Sequence, residues 1–152
     1  SCGFIFLILI SLSSGAYSSS TIIGMFILIW TNDSFAYIIG SNFGRQKLFE
    51  SVSPKKTVEG FLGGLFFSTV VSYLLFKFAY NLEFSNWLII SVIVSVFGTI
   101  GDLIESKYKR QANVKDSGNL IPGHGGLLDR MDSAIFIAPF IYLFIKILNY
   151  VS

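Results

Sequence analysis

Long apolar stretches, interrupted by two clusters of charge, set the pattern of this chain. Apolar residues dominate positions 21–40, 60–80, 87–105 and 133–150, and a shorter run covers 4–10. About 20 such residues are what a helix needs to cross the hydrocarbon layer. The runs lack the period-two alternation of membrane barrel strands, and backbone polar groups in lipid must be paired within their own segment, so each run predicts a helix. The expected fold class is all-α: a polytopic transmembrane bundle of about five helices, with Pro139 expected to kink the last. The chain opens at Ser1, already inside an apolar run with no basic residue ahead of it. That pattern reads as a membrane helix cut short at the C-terminal part of a longer protein, not as a signal peptide. No repeat or linker divides residues 1–152, which are read as one integral-membrane domain.

Composition supports this reading. The chain is 53% hydrophobic and 13% charged, where soluble globular chains carry about 25% charged residues. A formal net charge of +2 argues against a nucleic-acid partner. The single cysteine, Cys2, excludes a disulfide within the chain and any cysteine-based zinc cluster.

Where the charges fall says more than their sum. Arg45, Lys47, Glu50, Lys55, Lys56 and Glu59 share one connector, and ten more charged residues lie between Asp102 and Asp132, so sixteen of the twenty occupy two segments. If the helices alternate in direction, both segments emerge on one side of the membrane, and the positive-inside rule makes that side cytoplasmic.

The second segment is where chemistry is concentrated. Asp102 and Glu105 are three residues apart at the end of one predicted helix, and Asp129 and Asp132 are three apart at the start of the next, so each pair projects from one helical face. Two converging pairs would offer carboxylate oxygens to a hard cation such as Mg²⁺. The same acids would equally form an interfacial salt-bridge belt with Lys107, Lys109, Arg110 and Arg130. Between the pairs, the turn at Pro122-Gly123-His124-Gly125-Gly126 presents unobstructed backbone N–H groups ahead of a helix, a favourable place for phosphate. His124, the only histidine, is either a donor to a phosphate oxygen or an ordinary loop residue.

Two further positions stand out. Asp33, in Asn32-Asp33-Ser34, lies within a predicted membrane helix, where an ionisable group marks a site or a structural hydrogen bond. In the stretch Ser53-Pro54-Lys55-Lys56-Thr57-Val58-Glu59-Gly60, Pro54 is expected to bar regular structure, Thr57 to cap the next helix, and the stretch from Gly60 to Gly64 to permit close helix packing. Lys55 and Lys56 are either headgroup-level anchors or phosphate ligands.

These segments resemble the phosphatidate cytidylyltransferase family. Ser106-x-x-Lys109-Arg110, then Lys115-Asp116-Ser117-Gly118, then Pro122-Gly123-His124-Gly125-Gly126-x-x-Asp129-Arg130-x-Asp132 is similar to that family's signature. The upstream motifs Asn32-Asp33-Ser34-x-Ala36-Tyr37-x-x-Gly40, Ser53-Pro54-Lys55-Lys56-Thr57-x-Glu59-Gly60 and Gly101-Asp102-Leu103-x-Glu105-Ser106 also resemble it. Tyr108 departs from the pattern, where the family more often has Phe or an aliphatic residue. Members of the family are longer at the N-terminus. The resemblance implies a bacterial-type inner-membrane enzyme that makes CDP-diacylglycerol and pyrophosphate from CTP and phosphatidic acid, with Mg²⁺ required and a second, monovalent ion left open.

Carried over by position, the resemblance implies Asp102 and Asp129 as first metal ligands, followed by Asp132, Asp33 and Glu105. Lys109, Arg110, Lys115 and Arg130 would bind substrate phosphates, and Lys55 and Lys56 the lipid headgroup or triphosphate. Asp116, Ser117 and His124 with Gly123, Gly125 and Gly126 would meet the polyphosphate. Membrane lipid surrounds the protein in this reading, and a homodimer is expected by analogy alone. The competing readings are a transporter or channel segment, a CTP-dependent lipid kinase and a non-catalytic lipid-binding scaffold. A transporter would place its polar residues in broken helices near the bilayer centre, which leaves the glycine-histidine turn unexplained.

Overall fold

The computed structural model describes residues 2–12, 19–51, 53–79, 82–111 and 127–151. Five helices account for most of them: α1 (Cys2–Leu12), α2 (Ser19–Phe43), α3 (Val58–Ala79), α4 (Phe84–Gln111) and α5 (Leu127–Val151). Four helices are long and apolar enough to cross a membrane, over Ser20–Phe43, Val58–Phe78, Phe84–Tyr108 and Ser133–Tyr150. The 11 described residues of α1 span only about 16 Å, half of what a crossing needs. The all-α membrane bundle expected from the apolar runs is thus what forms, and α5 continues as one helix through Pro139.

One element was not anticipated. The connector between α2 and α3 folds into an antiparallel hairpin of β1 (Lys47–Phe49) and β2 (Ser53–Thr57), with Lys47 opposite Thr57 and Phe49 opposite Ser53 and an irregular register between them. The expectation that Pro54 bars regular structure is therefore corrected. A two-stranded ribbon has two free edges, so a residue without an N–H is tolerated where no ladder bond is required of it. The hairpin is tied to its flanking helices: Val58 N donates to Gln46 O at 2.9 Å, and Gln46 N donates to the Glu59 carboxylate at 3.2 and 3.3 Å. Thr57 caps α3 as expected, its Oγ1 accepting from Gly60 N at 3.2 Å.

Small residues set the spacing of α2 and α3. Ala36 and Gly40 on α2 face Gly60 and Gly64 on α3, each pair four residues apart, the pattern that lets membrane helices approach closely. A Cβ on Gly60 would stand 2.6 Å from Ala36 O and one on Gly64 2.8 Å from Asn32 O, so backbone occupies the space a side chain would need. Phe35 and Phe67 stack beside this contact, with centroids 3.8 Å apart.

α3 packs on α4, α4 on α5, and α5 on α1. Among the buried serines of α3 and α4, the hydroxyls of Ser68 and Ser91 bond back to their own helices, to Gly64 O and Leu88 O, whereas the Ser95 hydroxyl has no partner. Trp87, in the first turn of α4, is fully buried with its ring against Gly24 of α2, in a cluster that includes Met25, Leu28, Ile90, Ile137 and Ile141. Large apolar side chains cover the outside, among them Ile23, Trp30, Phe66 and Phe78, which suits a lipid solvent rather than water.

Candidate functional site

The two charged segments meet. Lys56 on β2 and Asp102 on α4, 46 residues apart in sequence, form an ion pair with Nζ 2.6 Å from Oδ2. The other carboxylate oxygen, Oδ1, accepts a hydrogen bond from Ser133 Oγ near the start of α5. The hairpin and the facing parts of α4 and α5 therefore converge on one carboxylate, at the end of the bundle where the alternating-helix argument placed both segments.

Around this carboxylate lies a cavity of about 1070 Å³. α4 contributes a stripe of polar residues, Thr99, Asp102, Glu105 and Ser106, at the three- and four-residue spacing of one helical face. α2 contributes Asn32, Asp33 and Ser34 and, toward its N-terminal end, Trp30 and Phe26. Phe26 and Asp33 are seven residues apart, about 10 Å along the helix, so the wall changes from acidic to aromatic over that distance. Lys55, Lys56 and Thr57 close the polar end from β2, and Phe61 on α3 adds to the apolar wall.

Asp33 and Asp102 thus share a cavity, as the reading of both as site residues requires. Asn32 is buried beside them, and its Oδ1 has no hydrogen-bond partner. Its Nδ2 makes only a weak contact, 3.5 Å from Asp33 Oδ1. An orphaned buried acceptor costs about 1–3 kcal/mol, and here it lies in the α2–α3 contact, where a Cβ on Gly64 would stand 2.8 Å from it. The Asp33 and Asp102 carboxylates are hard oxygen donors, which suit a small divalent cation that keeps several waters and is shared with substrate phosphates. Among the described residues no group of three or more His, Cys, Asp or Glu side chains gathers to hold a metal by itself. The carboxylates of Asp33 and Asp102 in one cavity fit a Mg²⁺ that completes its shell with water and phosphate oxygens.

Of the residues singled out in the sequence, Asp33, Lys55, Lys56, Asp102 and Glu105 line this one cavity. α4 runs on to Gln111, so Asp102 lies about 13 Å inside its end instead of at it. The first turns of α5 carry Asp129, Arg130 and Asp132, and the last turn of α4 carries Lys109 and Arg110; the side chains of these five lie outside the described residues. So do Lys115, Asp116, Ser117, Gly123, His124, Gly125 and Gly126. Ser133 was missed, because the recognisable signature ends one residue earlier and a serine opening an apolar helix reads as a terminus. Asn32 was seen only as a neighbour of Asp33; an amide beside an acid inside an apolar run was the available signal.

Comparison with known proteins agrees with the resemblance noted in the sequence. A profile of the cytidylyltransferase family matches residues 1–148. The phosphatidate cytidylyltransferase of Bacillus subtilis is 45% identical over 125 residues, covering 81% of this chain and 46% of that protein. Those of Staphylococcus haemolyticus and Staphylococcus saprophyticus are 47% and 49% identical over 115 residues, in each case 75% of this chain and 44% of the relative. The chain spans about half the length of the curated relatives it matches.

Proposed function

This chain belongs to the cytidylyltransferase family, and on that premise we propose that it is the catalytic part of a phosphatidate cytidylyltransferase, joining CTP and phosphatidic acid to give CDP-diacylglycerol and pyrophosphate. The observation that carries the reading is the two-ended cavity. Its polar end holds Asp33, Asp102, Lys55 and Lys56 while its wall turns aromatic at Trp30, Phe26 and Phe61, so a water-soluble nucleotide and a lipid phosphate have a common place to meet.

The reaction forms a bond from a phosphatidate phosphate oxygen to the α-phosphorus of CTP and breaks the bond from that phosphorus to the bridging oxygen of the β-phosphate. The displaced electron pair leaves with pyrophosphate. Such a transfer asks little covalent chemistry of the protein; it needs anions held in line and their charge neutralised. Lys55 and Lys56 reach into the cavity from β2 and supply two cations that draw the lipid phosphate and the triphosphate together against their mutual repulsion. Asp102, oriented by Ser133, and Asp33 would hold Mg²⁺, with Glu105, Asp129 and Asp132 in support. Mg²⁺, when bound, neutralises the polyphosphate and eases departure of pyrophosphate. By the resemblance, Lys109, Arg110, Lys115 and Arg130 would bind phosphate oxygens, and Asp116, Ser117 and His124 with Gly123, Gly125 and Gly126 would contact the polyphosphate. Trp30 and Phe26 lie beside the first methylenes of the lipid. The polar end faces the cytoplasm of a bacterial cell membrane, by the positive-inside bias of the connectors.

Product analysis with the full-length protein in detergent micelles tests this. CTP and phosphatidic acid should give CDP-diacylglycerol and an equal amount of pyrophosphate. With diacylglycerol supplied as the acceptor in a parallel assay, phosphorylated lipid with free CDP, and no CDP-diacylglycerol from phosphatidic acid, would show the kinase reaction instead and overturn the assignment.

A further inference from the structure

Asp102 is held from two sides, and the two holders differ in how firmly the fold fixes them. Ser133 is buried on a helix and has a single side-chain bond to turn about, so its hydroxyl stays beside Oδ1. Lys56 reaches Oδ2 from a two-stranded hairpin on a four-carbon stem, and both side chains of the pair are 29% exposed. An ion pair exposed to this degree is reached by water and screened in part, and a lysine ammonium is a mobile single charge. It also serves one carboxylate alone, although Asp33 lines the same cavity. A doubly charged ion is attracted more strongly to the same carboxylate and, unlike the ammonium, accepts several oxygen donors at once.

We propose that Lys56 is an exchangeable counter-ion: its ammonium holds Asp102 in the ligand-free site, and a divalent cation displaces it, freeing it to pair with the phosphate that enters with the cation. The inference rests on the metal-dependent reading above and adds to it an order of events, in which one lysine serves the carboxylate first and the substrate second. Keeping Asp102 paired before substrate arrives also spares the site an uncompensated charge at membrane depth.

The test is Mn²⁺ binding to the full-length protein in micelles, without nucleotide or lipid, followed by loss of the free-ion signal in electron paramagnetic resonance. Lys56→Gln should tighten Mn²⁺ binding on the order of five-fold, the worth of a partly exposed ion pair. Lys55→Gln removes an equal charge nearby without touching that pair, and should tighten it by about two-fold or less. Asp102→Asn should abolish the binding. Parent-like or weaker binding in a folded Lys56→Gln protein, or equal gains in both lysine variants, overturns the exchange. If the parent binds no Mn²⁺ without nucleotide, cation and lysine do not compete, and the proposal falls whatever the product assay shows. A second measurement needs no variant: amine-reactive labelling of Lys56 in the parent, read by mass spectrometry, should rise several-fold when Mg²⁺ is added. Unchanged labelling contradicts the proposal.

Discussion

Ser133 shows what a single residue contributes beyond the charged groups. Ser133 touches no substrate in this account; it fixes the Asp102 carboxylate through one hydrogen bond. Ser133→Ala should lower kcat by roughly ten-fold, the loss of one orienting contact of about 1.4 kcal/mol, with KM for CTP little changed. An equal fall after Ser133→Thr, which keeps the hydroxyl, would assign the effect to packing. Exposed charges behave differently. Lys47 lies 2.7 Å from Glu50 and, through that hydrogen bond, holds its carboxyl below the ordinary range. A depressed carboxyl stabilises only above its ordinary titration range and loses the effect as pH falls through the lowered value, but both partners are open to water. Glu50→Gln should leave thermal stability unchanged at neutral pH, as screened surface pairs do. At this scale the acids and lysines were legible, because charge in an apolar chain is conspicuous. Ser133 was not, because its importance comes from a partner 31 residues away that only the packing of α5 against α4 supplies.

Among the elements, the α2–α3 contact positions the hairpin and hence Lys56. Gly60→Val should cause loss of folded protein in detergent-stability assays, since even a Cβ there would press on Ala36 O, a backbone atom that cannot yield alone. Gly98→Ala is the contrast: its Cβ would meet the flexible end of Ile137 at 3.3 Å, so the change in stability should stay within about 1 kcal/mol. If both substitutions were equally harmful, close approach of α2 and α3 would not be the cause. The helices were readable from apolar length alone, and Gly60 and Gly64 from their spacing. The hairpin was hidden by Pro54 and by strands of three and five residues, too short for alternation to register. The extension of α4 to Gln111 was hidden for the opposite reason: Lys107, Lys109 and Arg110 made the sequence read as a connector, whereas such residues continue a helix well once it leaves the apolar layer.

The whole molecule joins a lipid-facing exterior to a polar cavity at one end, and variants should sort by which of the two they touch. Lys77 lies on the exterior, 5.1 Å from the Tyr73 ring centroid and away from the cavity residues; Lys77→Ala should retain turnover and folded yield. The central claim is that the cavity around Asp102 is where CTP and phosphatidic acid react. It is tested most directly by CDP-diacylglycerol formation in the full-length protein, comparing the parent, Asp102→Asn and Lys77→Ala at matched folded concentration with and without Mg²⁺. The account predicts Mg²⁺-dependent product in the parent and in Lys77→Ala, and a loss of at least about 10³-fold in Asp102→Asn, as for removal of a principal charge-stabilising group. Product from Asp102→Asn at a rate near the parent's would contradict it.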